Sequence, residues 1–589
     1  MLLRSELLQN WKKYRMLILL MSITAILLFA NTNNLPLWHD EASTVALSSN
    51  ILKYGYPRVL DGNKLTVHNP NEIGLGYAFS NNTWLHYYIC AGSIALLGQS
   101  NLAVRLPFIL CGLATVFIIW KISFFLYKKI DLANLTASLT TIYVPFLLYA
   151  KQARYYSVNM LLITISIYVY LILFEDWPTN QRKKVVWFFV SAVLLLLNDI
   201  LAFAVLFLSI FLHLAYIKKI FKLKILISVI GAIILVLMSY LVFGNFISIS
   251  NNISARFLVI FWKLNVYFIP MLSLLIVLAI ISIIHFFFKK EQLDLFSSND
   301  FLFPLLILSN IIVVMISEYN IMNHFFLGVV IATPFVLTAV FQYSMQISKT
   351  MAALIIMLVV SSNILNVAPY YVLDIRGFEP KNQLQTMTKF GQPHLTPYNQ
   401  YDYLYYTSRN TIYSELSGPI LRGLIASPFT MADCLILPLY KYYEKLKIES
   451  YLYNYYQEIT GDYINAPMEI IKLLQEYGKT AETVFISTIE YEYVMLYTDM
   501  RVVNRFIFEK DSELARLTNV PDEEIDWFIV TSDKYIDQLE DPEYLINNRH
   551  LFTQYAISTN DYLNTPDLDL HVFETTYDGD PIIILHRIN

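Results

Sequence analysis

The sequence predicts an all-α polytopic membrane domain followed by a C-terminal soluble α/β domain. Three observations predict it. Of 589 residues, 56% are hydrophobic and only 15% charged, with a mean hydropathy of +0.49, a bias beyond that of an ordinary soluble domain. Apolar runs of membrane-spanning length recur along the first two thirds of the chain, separated by short basic clusters. From residue 369 onward those runs stop, and Tyr, Asp, Glu and Pro rise. The chain is therefore divided into a membrane domain at 1–368 and a soluble domain at 369–589. The net charge of −4 and a pI near 6.2 argue against a nucleic-acid partner. Cys90, Cys111 and Cys434 supply neither a disulfide framework nor a metal-ligand spacing.

Taken in order, the N-terminus places Arg4, Lys12, Lys13 and Arg15 directly before the apolar run 16–30. No small-x-small cleavage site follows, so the run reads as a retained first span with a cytoplasmic N-terminus. The loop 31–83 is rich in Asn, Gly and Pro. Within it, Leu37-Trp38-His39-Asp40-Glu41-Ala42-Ser43-Thr44 opens an amphipathic helix that Gly55 and Pro57 close. Asp40 stands at the N-cap position and Glu41 in the first turn, where the helix dipole favours an anion. Residues 84–97 are apolar but short for a crossing. Spans follow at 102–127, 132–150, 155–174, 185–197, 201–216, 225–243, 257–288, 301–316, 325–341 and 351–367.

Basic residues at 182–184, 218–224 and 289–290 mark cytoplasmic turns. That assignment puts 31–83, 151–157, 198–199, 244–256, 317–324 and the soluble domain outside. The parity gives about 11–13 spans, depending on whether 84–97 crosses. In the soluble domain, 483–487, 502–508, 525–531 and 571–573 read as strands, and 468–477 and 533–539 as helices.

Polar residues at the outer membrane edge carry the functional signal, because each is costly there unless used. They are Asp40, Glu41, Arg58, Lys64, His68, Glu72, Trp84, His86, Lys151, Arg154, Tyr155, Asp199, Glu318 and His324. Loop residues are solvated by default, and Asp40 has the capping role as its bland reading. Arg154 is less ordinary: with Lys151 it lies where the positive-inside rule disfavours cations, and snorkelling to headgroups is its competing reading. One carboxylate with several cations suits transfer of a phosphate-activated sugar. The phosphate leaves with cationic stabilisation, and the attacking hydroxyl needs a single general base. Glycoside hydrolysis wants two opposed carboxyls, whereas helix neighbours such as Asp40 and Glu41 point roughly 100° apart.

Leu37 to Ala42, then Asn50-Ile51-Leu52-Lys53-Tyr54-Gly55-Tyr56-Pro57 and Asp61-Gly62, resemble the first outer loop of bacterial GT-C glycosyltransferases of the protein O-mannosyltransferase-like and aminoarabinose-transferase-like type. Trp84 to Tyr88, Leu97-Gly98-Gln99-Ser100 and Arg105-Leu106-Pro107-Phe108 resemble the next stretch of that family, and Gln152 to Tyr156 its Arg-Tyr segment. His324-Phe325-Phe326 with Pro334 sits where the family carries Arg-Tyr and a Pro. The resemblance implies a GT-C fold and an inverting transfer from a polyprenyl-phosphate sugar donor to a lipid, polysaccharide or protein hydroxyl. Asp40 would be the general base, with Glu41 supporting the helix start or orienting a sugar hydroxyl. Donor contacts would come from Arg58, His68, Glu72, Lys151, Arg154, Tyr155 and His324. Some relatives involve a divalent metal; the sequence shows no compact ligand cluster, and none is expected to be required. A flippase of lipid-linked sugars is the rival reading, against which stand the long first loop, the large soluble domain and the lack of a repeat between halves. An inactive membrane scaffold is a third.

The expected topology is directly testable. In a background lacking the native cysteines, single cysteines at Asn63 and Asp561 are both expected to react with an impermeant thiol reagent on intact cells. Labelling of only one of the two would break the topology, since both must share a side.

Overall fold

A computed structural model describes residues 2–35, 37, 39–62, 64–66, 72–175, 182–217, 260, 264, 268, 299–317, 323–347, 349–350, 352–353, 455, 459–460, 466–486, 491–503, 520–530, 542–557 and 582–588. They fall into two compact units, one made of 1–30, 108–378 and 397–459 and the other of 31–107, 379–396 and 460–589.

The first unit is helical. It contains α1 (Leu2–Phe29), and a boundary inside the helix Asn101–Tyr127 gives it the rest of that long helix. It continues through Ile130–Ile142, Val144–Lys151, Tyr155–Glu175, Arg182–Asn198, Ile200–Tyr216, Leu302–Ile316 and Leu327–Ile347. With His39–Tyr54 as α2 and Leu85–Leu97 as α3, these are α4 to α11 in chain order. Among the described residues, α4, α7 and α11 are long and apolar enough to cross a membrane, and α5 with α6 makes a fourth if that bent pair is one span. The chain is a multi-pass membrane protein. The expected spans 225–243, 257–288 and 351–367 lie almost wholly outside the described residues.

The stretch 132–150, expected as one span, is two helices bent by 66°. Tyr143 between them is extended, at φ −81° and ψ 103°. Pro145 in the first turn of α6 has no N–H to give the carbonyl of Thr141, so the ladder of α5 stops there. A second proline is accommodated differently. Pro107 inside α4 leaves the carbonyl of Ala103 without its helical donor, and Ser93 Oγ of α3 donates to it at 2.5 Å.

Packing in this unit uses small residues and paired hydroxyls, as expected where lipid offers no hydrophobic drive between helices. A Cβ on Gly112 of α4 would come within 2.6 Å of Ala150 Cβ, so glycine sets that close approach. Hydroxyl bonds join Thr24 to Thr141 at 2.9 Å, Ser123 to Thr136 at 2.8 Å and Thr136 to Thr338 at 2.9 Å.

In the second unit, α12 (Ala466–Tyr477) and α13 (Tyr491–Thr498) accompany a five-stranded sheet. Its strands are β3 (Thr483–Ile486), β4 (Arg501–Val503), β5 (Trp527–Val530), β6 (Phe552–Ile557) and β7 (Ile582–Arg587), with β1 (Leu60–Asp61) and β2 (Lys64–Leu65) forming a separate small hairpin. The sheet order is β4-β3-β5-β7-β6, parallel among the first three and antiparallel from β5 onward. Alternate residues face opposite ways. Val484, Ile486, Trp527, Ile529 and Ile584 bury with Ile470 and Leu474 of α12, while Phe485, Phe528 and Leu585 bury with Leu545 on the other face, in α14 (Pro542–Asn547).

The expected strands at 483–487 and 525–531 and the helix at 468–477 are present with slightly different ends. Of 502–508, only the first two residues are described, in β4; 533–539 and 571–573 lie outside the described residues. Strands β6 and β7 were not expected from the sequence.

Candidate active site

Helix α2 begins at His39, so Asp40 lies inside its first turn; the expected N-cap placement is off by at least one residue. The far end is as the sequence predicts. Gly55 adopts φ +82° and its N–H donates to Ile51 O at 2.8 Å, a left-handed stop. The return is pinned by Asn50 Nδ2 donating to Arg58 O at 2.6 Å and by Tyr54 Oη donating to Asp61 Oδ1 at 2.9 Å. Lys53 also pairs with Asp61. Desolvation acts to raise the Asp61 carboxyl, but the bonds from Lys53 and Tyr54 together hold it below the usual carboxylate value.

The Asp-Glu pair is strongly asymmetric. Glu41 is completely buried, and both of its oxygens are held by Arg105 of α4: Nε donates to Oε1 at 2.8 Å and Nη2 to Oε2 at 2.5 Å. The remaining guanidinium donor, Nη1, reaches Thr32 O at 3.0 Å and Leu35 O at 2.9 Å. This planar fork-to-fork pairing is the arrangement in which a buried ion pair recovers its desolvation cost. Asp40 is only half-buried, and its carbonyl accepts from Thr44 Oγ1 at 2.8 Å.

The segment leading into α2 is clamped a second time. Asn101 Nδ2 donates to Asn33 O at 3.1 Å and Leu35 O at 3.0 Å, while its Oδ1 accepts from Tyr497 of α13 at 3.0 Å. The Leu37 N–H donates to the same phenol oxygen at 3.3 Å. Burial raises the Tyr497 phenol, which keeps it a proton donor at neutral pH. Ala42, Ile471, Leu496 and Tyr497 share an apolar cluster beneath it.

Of the other expected residues in this unit, Arg58 lies with its Cζ 4.7 Å from the Tyr54 ring and 5.5 Å from that of Tyr77, a cation held by two aromatic faces. Glu72 Oε1 accepts from Asn81 at 2.8 Å. Lys64 pairs with Asp499, Trp84 Nε1 donates to Phe79 O at 2.8 Å, and buried His86 lies against Tyr87 with ring centroids 3.9 Å apart. His68 lies outside the described residues.

The helical unit holds the remaining candidates. Lys151, last residue of α6, is buried, donates to Ala30 O at 3.2 Å and lies 5.8 Å from the Tyr455 ring. Three residues on, buried Arg154 has its Cζ 5.4 Å from the Tyr155 ring and 6.0 Å from Tyr156. Asp199 caps α9, accepting from the N–H groups of Leu201 at 2.8 Å and Ala202 at 3.2 Å. His324 belongs to the 3-10 turn Asn323–Phe326, its side chain outside the described residues, as is Glu318. Among the described residues no three His, Cys, Asp or Glu side chains are placed to hold a metal ion.

None of Arg105, Asn101 and Tyr497 was among the expected site residues; Arg105 was noted only within the stretch Arg105 to Phe108 that carries the family resemblance. Arg105 had a readable signal, a cation near the start of an apolar run; Tyr497 had none.

The fold has solved counterparts. ArnT from Cupriavidus metallidurans in the apo state superposes with a TM-score of 0.53 at 10% identity, over 97% of each chain. The same protein bound to undecaprenyl phosphate gives 0.48 at 10% identity, over 97% of this chain and 98% of that one. The archaeal oligosaccharyltransferase AglB from Archaeoglobus fulgidus, in complex with an inhibitory peptide and a dolichol-phosphate, gives 0.43 at 11%, over 93% and 73%. No protein-family profile matches the chain, and no curated protein does. At such identity the ArnT likeness shows the fold, which is of the GT-C type.

The buried pair makes a stability prediction. Arg105→Met is expected to strand the Glu41 carboxylate and cost about 3–5 kcal/mol, whereas Arg105→Met with Glu41→Leu recovers only the part due to the stranded charge, since the bonds to Thr32 O and Leu35 O stay lost. Melting of the detergent-solubilised variants reads both. An Arg105→Met protein as stable as the wild type would show that the pair does not hold α2.

Proposed function

We propose that the chain is an integral membrane glycosyltransferase. It moves a sugar from a polyprenyl-phosphate donor to an acceptor hydroxyl, with inversion at the anomeric carbon. The observation that carries this reading is the asymmetry of the Asp-Glu pair on a GT-C fold. Glu41 is wholly engaged by Arg105, while its neighbour Asp40 keeps partial exposure at the first turn of the same helix. ArnT, whose fold the chain shares, binds undecaprenyl phosphate.

In this reading the acceptor O–H gives its proton to Asp40 as its oxygen forms the new bond to the anomeric carbon. The bond from that carbon to the phosphate oxygen breaks on the opposite face, and polyprenyl phosphate leaves with the electron pair. Phosphate needs no protonation to depart, so no acid partner to Asp40 is required. Lys151 and Arg154 are the cations assigned to the leaving phosphate. Arg58, His68, Glu72, Tyr155 and His324 are the further donor contacts of the proposal. The soluble domain 369–589 and the loop 31–83 are assigned to the extracytoplasmic side, with the N-terminus in the cytoplasm.

Proteoliposomes supplied with polyprenyl-phosphate sugars test the reading. Asp40→Asn preserves size and removes the base, so transfer is expected to fall by about 10²–10⁴-fold with donor KM nearly unchanged. Normal turnover by Asp40→Asn would remove it as the base. A wild-type protein that transfers no sugar from any such donor would overturn the class.

A further inference from the structure

The unit β3–α13–β4 of the soluble domain reaches the helix that carries Asp40. Strands β3 and β4 pair in parallel, so the chain between them must cross over, and α13 lies in that crossover. Val494 of α13 and Met500 just beyond it bury with Val484, Trp527 and Ile584 in one core of the sheet. Asp499, at φ +59°, gives α13 a left-handed stop. From α12, Gln475 Nε2 donates to Tyr497 O at 2.9 Å. Tyr497 is therefore presented by a helix that both the sheet core and α12 hold.

The Tyr497 hydroxyl belongs to a chain of hydrogen bonds whose direction is fixed. Asn101 Nδ2 donates to Asn33 O at 3.1 Å and to Leu35 O at 3.0 Å, so its Oδ1 can only accept. Tyr497 O–H is the donor to it, at 3.0 Å. With its proton directed at Asn101, the phenol oxygen turns its lone pairs to Leu37 N–H, 3.3 Å away. Leu37 is 2% exposed, so that N–H has little access to water and depends on a protein partner. It stands just ahead of His39, where α2 begins, and Asp40 follows in the first turn.

Arg105 fixes the same segment through Glu41 and the carbonyls of Thr32 and Leu35. Tyr497 adds a link at Leu37, from a residue 460 positions further along the chain. Its ring shares an apolar cluster with Ala42 of α2, Ile471 and Leu496, so the phenol is seated against the helix whose start it holds. We propose that Tyr497 is a positioning residue for the transfer: through its hydroxyl the soluble domain sets where α2 begins, and with it the aim of Asp40 at the acceptor hydroxyl. The assignment rests on the transferase reading given above, with Asp40 as its base. Reacting groups must meet within about 3–3.5 Å, and a misplacement of about 1 Å costs up to about 10²-fold in rate. One hydrogen bond at the entry to α2 is therefore felt in turnover, and the soluble domain is a working part of the active site.

Tyr497→Phe tests this, because it deletes one oxygen and keeps the ring in its apolar cluster. The full-length variant in proteoliposomes, supplied with polyprenyl-phosphate sugars, is expected to lose about tenfold in kcat with donor KM within about twofold. Its binding stoichiometry for sugar-free polyprenyl phosphate is expected to stay that of the wild type. A purely structural role would instead lower the fraction of protein that binds this lipid and leave kcat per binding-competent molecule unchanged. That result, a raised donor KM that accounts for the loss, or a variant that no longer binds the lipid would each overturn the assignment. A wild-type protein that transfers no sugar would overturn the transferase reading, and normal turnover by Asp40→Asn would remove the base through which Tyr497 acts. Where the wild type transfers and Asp40→Asn is impaired, a wild-type kcat in Tyr497→Phe overturns the positioning role alone.

Discussion

A guanidinium buried near the start of an apolar helix is intolerable without a carboxylate, and Glu41 is the carboxylate that Arg105 finds. That constraint reaches beyond the two residues. Because Arg105 also satisfies the carbonyls of Thr32 and Leu35, the chain between α1 and α2 has its polar backbone groups answered where no regular structure answers them. Asn101 and Tyr497 complete the same task. Helix α2 therefore starts from a fixed place, and Asp40 is carried to its position by a neighbour whose own chemistry is fully occupied. The pair is divided: Glu41 is held in the buried ion pair, and Asp40 keeps the partial exposure that the proposed role of base requires.

The same economy governs the turn between α6 and α7. Proline at 145 breaks an otherwise continuous apolar run, and a second, non-helical turn follows at 152–154. Two interruptions so close together bring Lys151, Gln152 and Arg154 into a buried, irregular stretch. In a membrane protein irregular backbone is tolerated only where protein or a polar cavity surrounds it. Here Asn198 answers the carbonyl of Tyr155.

Much of the fold was legible because the signals are local. Apolar runs announced α4, α7 and α11; Gly55 and Pro57 announced the end of α2; the β-rich stretches around Val484 and Phe528 announced two strands. The failures share a cause. Nothing within 132–150 except Pro145 distinguishes a bent pair from one span, and the ring of a single proline can be absorbed, as Pro107 shows. Strand β7 pairs with β5 and β6 pairs with β7 across loops of many residues, so their registers belong to the assembled sheet. The Glu41 to Arg105 pair joins residues 64 apart. Both were visible in the sequence, but their partnership was not. Asp40 was found and misplaced by a residue or more, the usual uncertainty at a helix start.

The anomeric configuration of the product, determined by NMR after transfer from a polyprenyl-phosphate sugar of known configuration, tests most directly the proposed single displacement with Asp40 as base. With one base and no protein nucleophile, the product carries the configuration opposite to that of the donor. Retention of the donor's configuration would require a second displacement and would contradict the assignment.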